Sequence, residues 1–117
     1  MTQEEKKEYI ANKAMEIIMN SGDARTFAAE AMEAIAAGDY ETAQEKLKEA
    51  DKVQTAAHII QTEMIQGDIR GGSEAMDYSV LFAHAQDTLM TIQVEINMTK
   101  SMLKLAQSLE KRFLKQK

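Results

Sequence analysis

The sequence predicts an all-α protein: an antiparallel three-helix bundle with a long C-terminal helix that self-associates through a parallel coiled coil. Three observations point to helices. Ala, Glu, Gln, Lys and Met dominate, aromatic residues are 5% and proline is absent, so the chain is rich in helix formers and has no obligatory interior breaker. Glycine punctuates the chain at two points, "AAGDYE" around Gly38 and "QGDIRGGSEA" at 66–75. Between them, apolar residues recur at spacings of three and four. The connections are short, so successive helices run antiparallel. A chain of 117 residues is read as one domain, 1–117, with a small core.

The first helix is placed at about 3–37. Ile10, Ala14, Ile17, Ser21, Ala24, Ala28, Ala31 and Ile35 make its stripe, and the small later members let a neighbouring helix come close. "SGDAR" at 21–25 interrupts the pattern. Gly22 costs about 1 kcal/mol against alanine in a helix interior, and reads as a kink, a local break or a close contact. Arg25 reads as an anion ligand or a carbonyl cap. Gly38 ends this helix and Asp39 caps the next.

The second helix is placed at about 40–66. Its one stripe is Ala43, Leu47, Ala50, Val53, Ala57, Ile60 and Met64, as suits a half-solvated helix. His58 lies beside the stripe and reads as structural.

The third helix, about 74–115, is about 40 residues and hence about 60 Å long. It carries two apolar stripes. One holds Tyr78, Leu81, Phe82, Ala85, Leu89, Ile92, Ile96, Leu103, Ala106 and Phe113. The other holds Val80, Asp87, Thr91, Val94, Met98, Ser101 and Leu105. Two helices cover only one of these faces well. The second repeats at heptad spacing, which argues for self-association through a parallel coiled coil; a helix from another protein is the alternative occupant.

His84 and Asp87 stand at i and i+3 in "HAQDTLMT" (84–91), over neighbouring parts of one surface. Asp87 falls on the second stripe. Copies of it meeting in a dry seam must gain protons or share a cation, and oxygen-only ligands favour a hard ion such as magnesium. A polar register-setter is the other reading of Asp87. His84 reads as a surface histidine with one satisfied hydrogen bond or as a nucleophile in its own right, since Thr88 takes the i+4 place a zinc partner would need. Leu81, Ala85 and Met90 are the candidates for apolar contact with partners around it.

Several classes are excluded. The chain has no cysteine, hence no disulfide or thiol chemistry. Net charge is −5, with basic residues interleaved with acids except in the cationic tail "KSMLKLAQSLEKRFLKQK", so nothing marks a nucleic-acid footprint. No apolar run approaches 18 residues and the N-terminus has no apolar leader segment, which gives the expectation of a soluble, cytoplasmic protein. No phosphate-cradling or dinucleotide glycine motif is present.

In order and spacing, "NSGDAR" (20–25), "GDYETAQEKLKEA" (38–50), "AAHIIQTEMIQGD" (56–68) and "HAQDTLMT" (84–91) resemble the lactose/cellobiose-type enzyme IIA of the bacterial sugar phosphotransferase system. The resemblance implies a homotrimer of three-helix subunits. It implies that His84 accepts a phosphoryl group from the phosphocarrier HPr and passes it to a cysteine of the cognate IIB protein, and so indirectly serves the membrane component IIC. It implies that Asp87, one from each subunit, holds a Mg2+ or similar divalent cation at the trimer axis, and that Gln86 helps position the phosphoryl group. The family's motif reads "HAQDHLM"; here Thr88 replaces the second histidine. A non-catalytic helical adaptor is the competing class.

Overall fold

Local chemistry sets each helix boundary. The computed structural model describes residues 2–70 and 79–116. Helix α1 runs Gln3–Ala36. Thr2 caps it: its hydroxyl accepts from the Glu5 N–H at 3.1 Å, while the Glu5 carboxylate accepts from the Thr2 N–H at 3.2 Å, satisfying two otherwise orphan donors. The helix passes through "SGDAR" without a break. A Cβ added at Gly22 would meet nothing within 4 Å, so neither a break nor a close contact within the chain explains this glycine. At the far end Gly38 takes φ +76, its N–H reaches the Ile35 carbonyl at 3.0 Å and the Asp39 N–H reaches that of Ala34 at 2.8 Å. That paired closure needs the left-handed conformation glycine adopts at little cost.

Asp39 then starts α2, Tyr40–Arg70, by accepting from the Thr42 N–H at 3.2 Å. The Thr42 hydroxyl, and after it this N–H, hold the Asp39 carboxyl below its ordinary value. Helix α2 continues through Gly67, four residues beyond the expected end at 66. Helix α3 spans Val80–Lys115. Ser79 is its extended N-cap, with the hydroxyl accepting from the Phe82 N–H at 3.1 Å. The expected start near 74 is therefore corrected to Val80; residues 74–78, Tyr78 among them, lie outside those described. Arg112 and Lys115 occupy the last turn, where cations suit the helix dipole.

The three helices form a rod of 70 × 20 × 19 Å. Exposed ion pairs mark how they lie: Lys46 to Glu30 at 3.0 Å between α2 and α1, Arg25 to Glu95 at 2.8 Å between α1 and α3, and Lys100 to Asp51 at 2.8 Å between α3 and α2. Each is worth little in itself. The core lies in two clusters. One joins Ala24, Ala28, Ala31, Ala43, Leu47 and Ala50 to Ile92, Ile96 and Leu103; the other joins Ile10, Ala14, Ile17, Ala57 and Met64 to Phe82, Ala85 and Leu89. Alanine dominates α1 and α2, so α3 supplies much of the apolar bulk.

Phe113 departs from expectation. It was placed on the core-facing stripe, yet is 59% exposed. The Arg25–Glu95 pairing brings the end of α1 level with about residue 106 of α3, so the last two turns of α3 run past the hairpin that would bury them. Tyr40 marks the edge: its hydroxyl bonds Glu110, which raises the phenol above its ordinary value.

Candidate functional site

His84 lies in the second turn of α3 and is exposed. Its neighbours explain why. Phe82, Ala85 and Leu89 are buried, which fixes the rotation of this stretch and turns residue 84 outward on the flank nearest α1. Asp87 is also exposed, about 60° round the helix from His84. The two share one outward surface, as their spacing requires.

The outward stripe is apolar along most of its length. Val80 is 71%, Val94 60%, Met98 58% and Leu105 55% exposed, with Asp87, Thr91 and Ser101 exposed between them. Every residue assigned to the second stripe thus faces away from α1 and α2, opposite Leu89, Ile92 and Ile96, which are fully buried.

Thr88 is half-buried, and its hydroxyl donates to the main-chain carbonyl oxygen of His84 at 2.8 Å. Its one donor hydrogen is therefore engaged on the backbone of the histidine, not directed outward. Gln86 is half-buried and, two residues on, sits about 160° round the helix. One chain does not bring its amide to the imidazole, since i and i+2 do not share a face.

Other expectations change. Arg25 pairs across helices: its Nε donates to Glu95 Oε2 at 2.8 Å. Of the expected contact residues near His84, Met90 is 54% exposed, but Ala85 is fully buried and Leu81 is half-buried against the core. Helix α1 carries exposed apolar residues at the same level. Stepping back eleven residues from both Arg25 and Glu95 arrives at Ala14 and His84, so Met15 and Met19, 44% and 65% exposed, lie on the stretch of α1 beside the histidine. Sequence periodicity could not reveal this, because it does not relate one helix to another. His58 is half-buried on α2.

Among the described residues no group of three or more His, Asp or Glu side chains in one chain could hold a metal ion. No helix among them is long and apolar enough to cross a membrane.

The family model "PTS system, Lactose/Cellobiose specific IIA subunit" matches residues 12–107. The "PTS system lactose-specific EIIA component" of Lacticaseibacillus casei is 36% identical over 99 residues, covering 85% of this chain and 87% of the relative. The crystal structure of the cellobiose-specific enzyme IIA from Bacillus anthracis superimposes with a TM-score of 0.80 at 34% identity, covering 94% of each chain. The IIA(Chitobiose) of Escherichia coli, solved in complex with HPr, gives 0.76 at 30% identity, covering 86% of this chain and 96% of the other. The chain belongs to the lactose/cellobiose-specific IIA family and is a phosphocarrier component of a sugar phosphotransferase system.

Proposed function

We propose that His84 is the phosphoryl-bearing residue, loaded by HPr and unloaded by a cysteine of a cognate IIB protein during uptake of a β-linked disaccharide. The observation that carries this is an exposed imidazole on a helix whose adjacent residues are locked into the core. Transfer between two proteins asks for a reachable nucleophile, in-line approach and little else from the carrier. An imidazole meets the first need, since a ring nitrogen carries the lone pair that attacks. One ring nitrogen attacks phosphorus as the bond to the donor breaks. The second nitrogen keeps its proton. The acceptor thiolate then attacks phosphorus on the far side, the N–P bond breaks, and the imidazole is restored.

HPr as donor is supported by the complex formed by the chitobiose relative. Met15 and Met19 on α1 and Met90 on α3 give it adaptable apolar contact, and a small interface suits a carrier that must release quickly. The Thr88 hydroxyl, bonded to the His84 carbonyl, supports that main-chain position and leaves the phosphoryl oxygens to other donors. Gln86, about 160° round its helix from His84, positions a phosphoryl group only on the His84 of a neighbouring subunit. The relatives are named for lactose, cellobiose and chitobiose, which supports a β-linked disaccharide as the sugar served.

The working unit is a parallel homotrimer in which three outward stripes of α3 pack on one axis. An exposed run of Val80, Val94, Met98 and Leu105 favours this occupant, since monomers seldom leave so continuous an apolar seam in water. Asp87 lies on that seam. One chain offers a single carboxylate there, too few for a metal, but three copies offer enough oxygens for a hard divalent ion completed by water. Mg2+, one per trimer, fits that donor set and would cancel the mutual repulsion of the carboxylates. The protein acts at the cytoplasmic side of the membrane.

The test is transfer of label from phosphoenolpyruvate through enzyme I and HPr. Acid-labile label on the parent chain, lost in His84→Gln, is the expected result. Label retained in His84→Gln moves the site elsewhere. An unlabelled parent chain favours the helical adaptor.

A further inference from the structure

Among the described residues, a polar layer that phosphoryl transfer does not use crosses the interior of the bundle. Gln54 is 2% exposed and Ser21 fully buried. The Gln54 amide, on α2, donates to the main-chain carbonyl oxygen of Leu89, on α3, at 2.8 Å. Its other atom, Oε1, and the Ser21 hydroxyl oxygen are buried with no hydrogen-bond partner. Counting nine residues back along α1 from Glu30 and eight forward along α2 from Lys46, the paired ends of an ion pair, arrives at Ser21 and Gln54. They therefore share one cross-section, the one that separates the two apolar clusters of the core.

A leucine or methionine at position 54 would occupy this space without stranding a buried acceptor, which is the costly half of an incomplete hydrogen bond. Stability does not account for a glutamine here. Geometry does. The buried face of α3 is built from Ala85, Leu89, Ile92 and Ile96, and apolar contact of that kind is non-directional. A hydrogen bond to one named carbonyl tolerates only a few tenths of an ångström. Of the other polar ties between α2 and α3, Lys100 to Asp51 joins side chains that are 41% and 46% exposed and constrains little, and Tyr40 to Glu110 lies at the far end of the bundle from His84.

We propose that Gln54 is a positioning residue for His84. By holding the Leu89 carbonyl, five residues along the same helix, it fixes how far α3 is slid and turned against α2. It thereby sets where the imidazole and the outward stripe stand together. The functional half of this rests on His84 being the phosphoryl acceptor.

The experiment compares the parent with Gln54→Met, which keeps length and volume and removes the donor. Three quantities are read: the urea midpoint, the NMR signals of the His84 ring and of the α3 amides from 84 to 93, and the rate of labelling from HPr. The expected result is a midpoint equal to or above the parent's, displaced His84 and amide signals, and labelling slowed about tenfold, since small misplacements of a reacting group are costly. A merely structural glutamine would move the midpoint and leave the other two in place. Unchanged ring signals and an unchanged rate in folded Gln54→Met overturn the proposal; Gln54→Leu takes its place if the methionine variant does not fold. A parent that takes no label ends the reading of His84, and the NMR comparison then still decides whether Gln54 sets the position of α3.

Discussion

A lysine in the middle of the outward stripe of α3 separates assembly from folding. In the single chain Val94 is 60% exposed and no part of either core cluster, so Val94→Lys leaves the core of the bundle intact. Burying a whole valine side chain is worth about 1.5–3 kcal/mol. Covering the exposed part is then worth about 1 kcal/mol per chain, or about 3 kcal/mol per trimer. The substitution forfeits this and brings three ammonium groups towards one axis. At about 8 Å and an effective dielectric of about 20, each pair repels by about 2 kcal/mol. Three pairs give about 6 kcal/mol, roughly halved because lysine heads bend away into water.

The trimer should therefore lose about 6 kcal/mol, or about four orders of magnitude in its association constant. Because three chains combine, the concentration at half-dissociation rises by the square root of that, about a hundredfold. Sedimentation equilibrium across a concentration series measures it. Far-ultraviolet circular dichroism of the variant should match the parent. A Val94→Lys protein that stays trimeric at the parent's concentrations would refute the seam, and so would a parent that sediments as a monomer.

Asp87→Leu should hold or raise trimer stability and abolish its response to chelator, whereas chelation should raise the parent's dissociation concentration, because an ion bound only by the assembly stabilises only the assembly; sedimentation with and without EDTA checks both. Thr88→Val should keep the rate of labelling within about threefold, because the hydroxyl serves the His84 carbonyl; a loss beyond about tenfold would mean that it reaches the phosphoryl group. Gly22→Ala should stabilise the protein by about 1 kcal/mol per chain in urea unfolding at fixed concentration, since a Cβ there meets nothing within 4 Å. A fall would mean that another chain approaches Gly22 in the assembly.

What the sequence disclosed depended on whether the signal was local. Gly38 and Asp39 announce a helix stop and start through their own conformational preferences, and the turn forms there. The two stripes of α3 are local in the same sense, because 3.6-residue periodicity alone assigns Leu89 and Ile92 inward and Val94 and Met98 outward. Failures appear where a residue's fate depends on another helix. Phe113 continues the inward pattern but outruns the hairpin. Arg25 finds Glu95 seventy positions away. Gln54 interrupts an alanine-rich stripe as a polar residue and would pass for solvated, yet it is buried because it reaches a carbonyl of α3. Periodicity gives the face of a helix; it does not give the register between helices, which decides all three. For His84 and Asp87, spacing placed both on one outward surface, and Gln86, beside them in the motif, is turned away by the same rule.

That phase relation explains why one helix can serve both chemistry and assembly. Residues at 85, 89, 92 and 96 leave α3 no freedom to rotate, because each is fully buried. The opposite face, through 87, 94, 98 and 105, is then available to copies of itself. A phosphoryl acceptor on the inward face would be shielded from any donor, and one at the centre of the seam would be shielded by assembly. His84 occupies the flank between them, level along the rod with Met15 and Met19 of α1. Moving it by a single position would put it at 83 or 85, about 100° round the helix, and 85 is fully buried. On the proposed reading, an imidazole that borders a seam on one side and faces a donor on the other has few places to stand on such a helix.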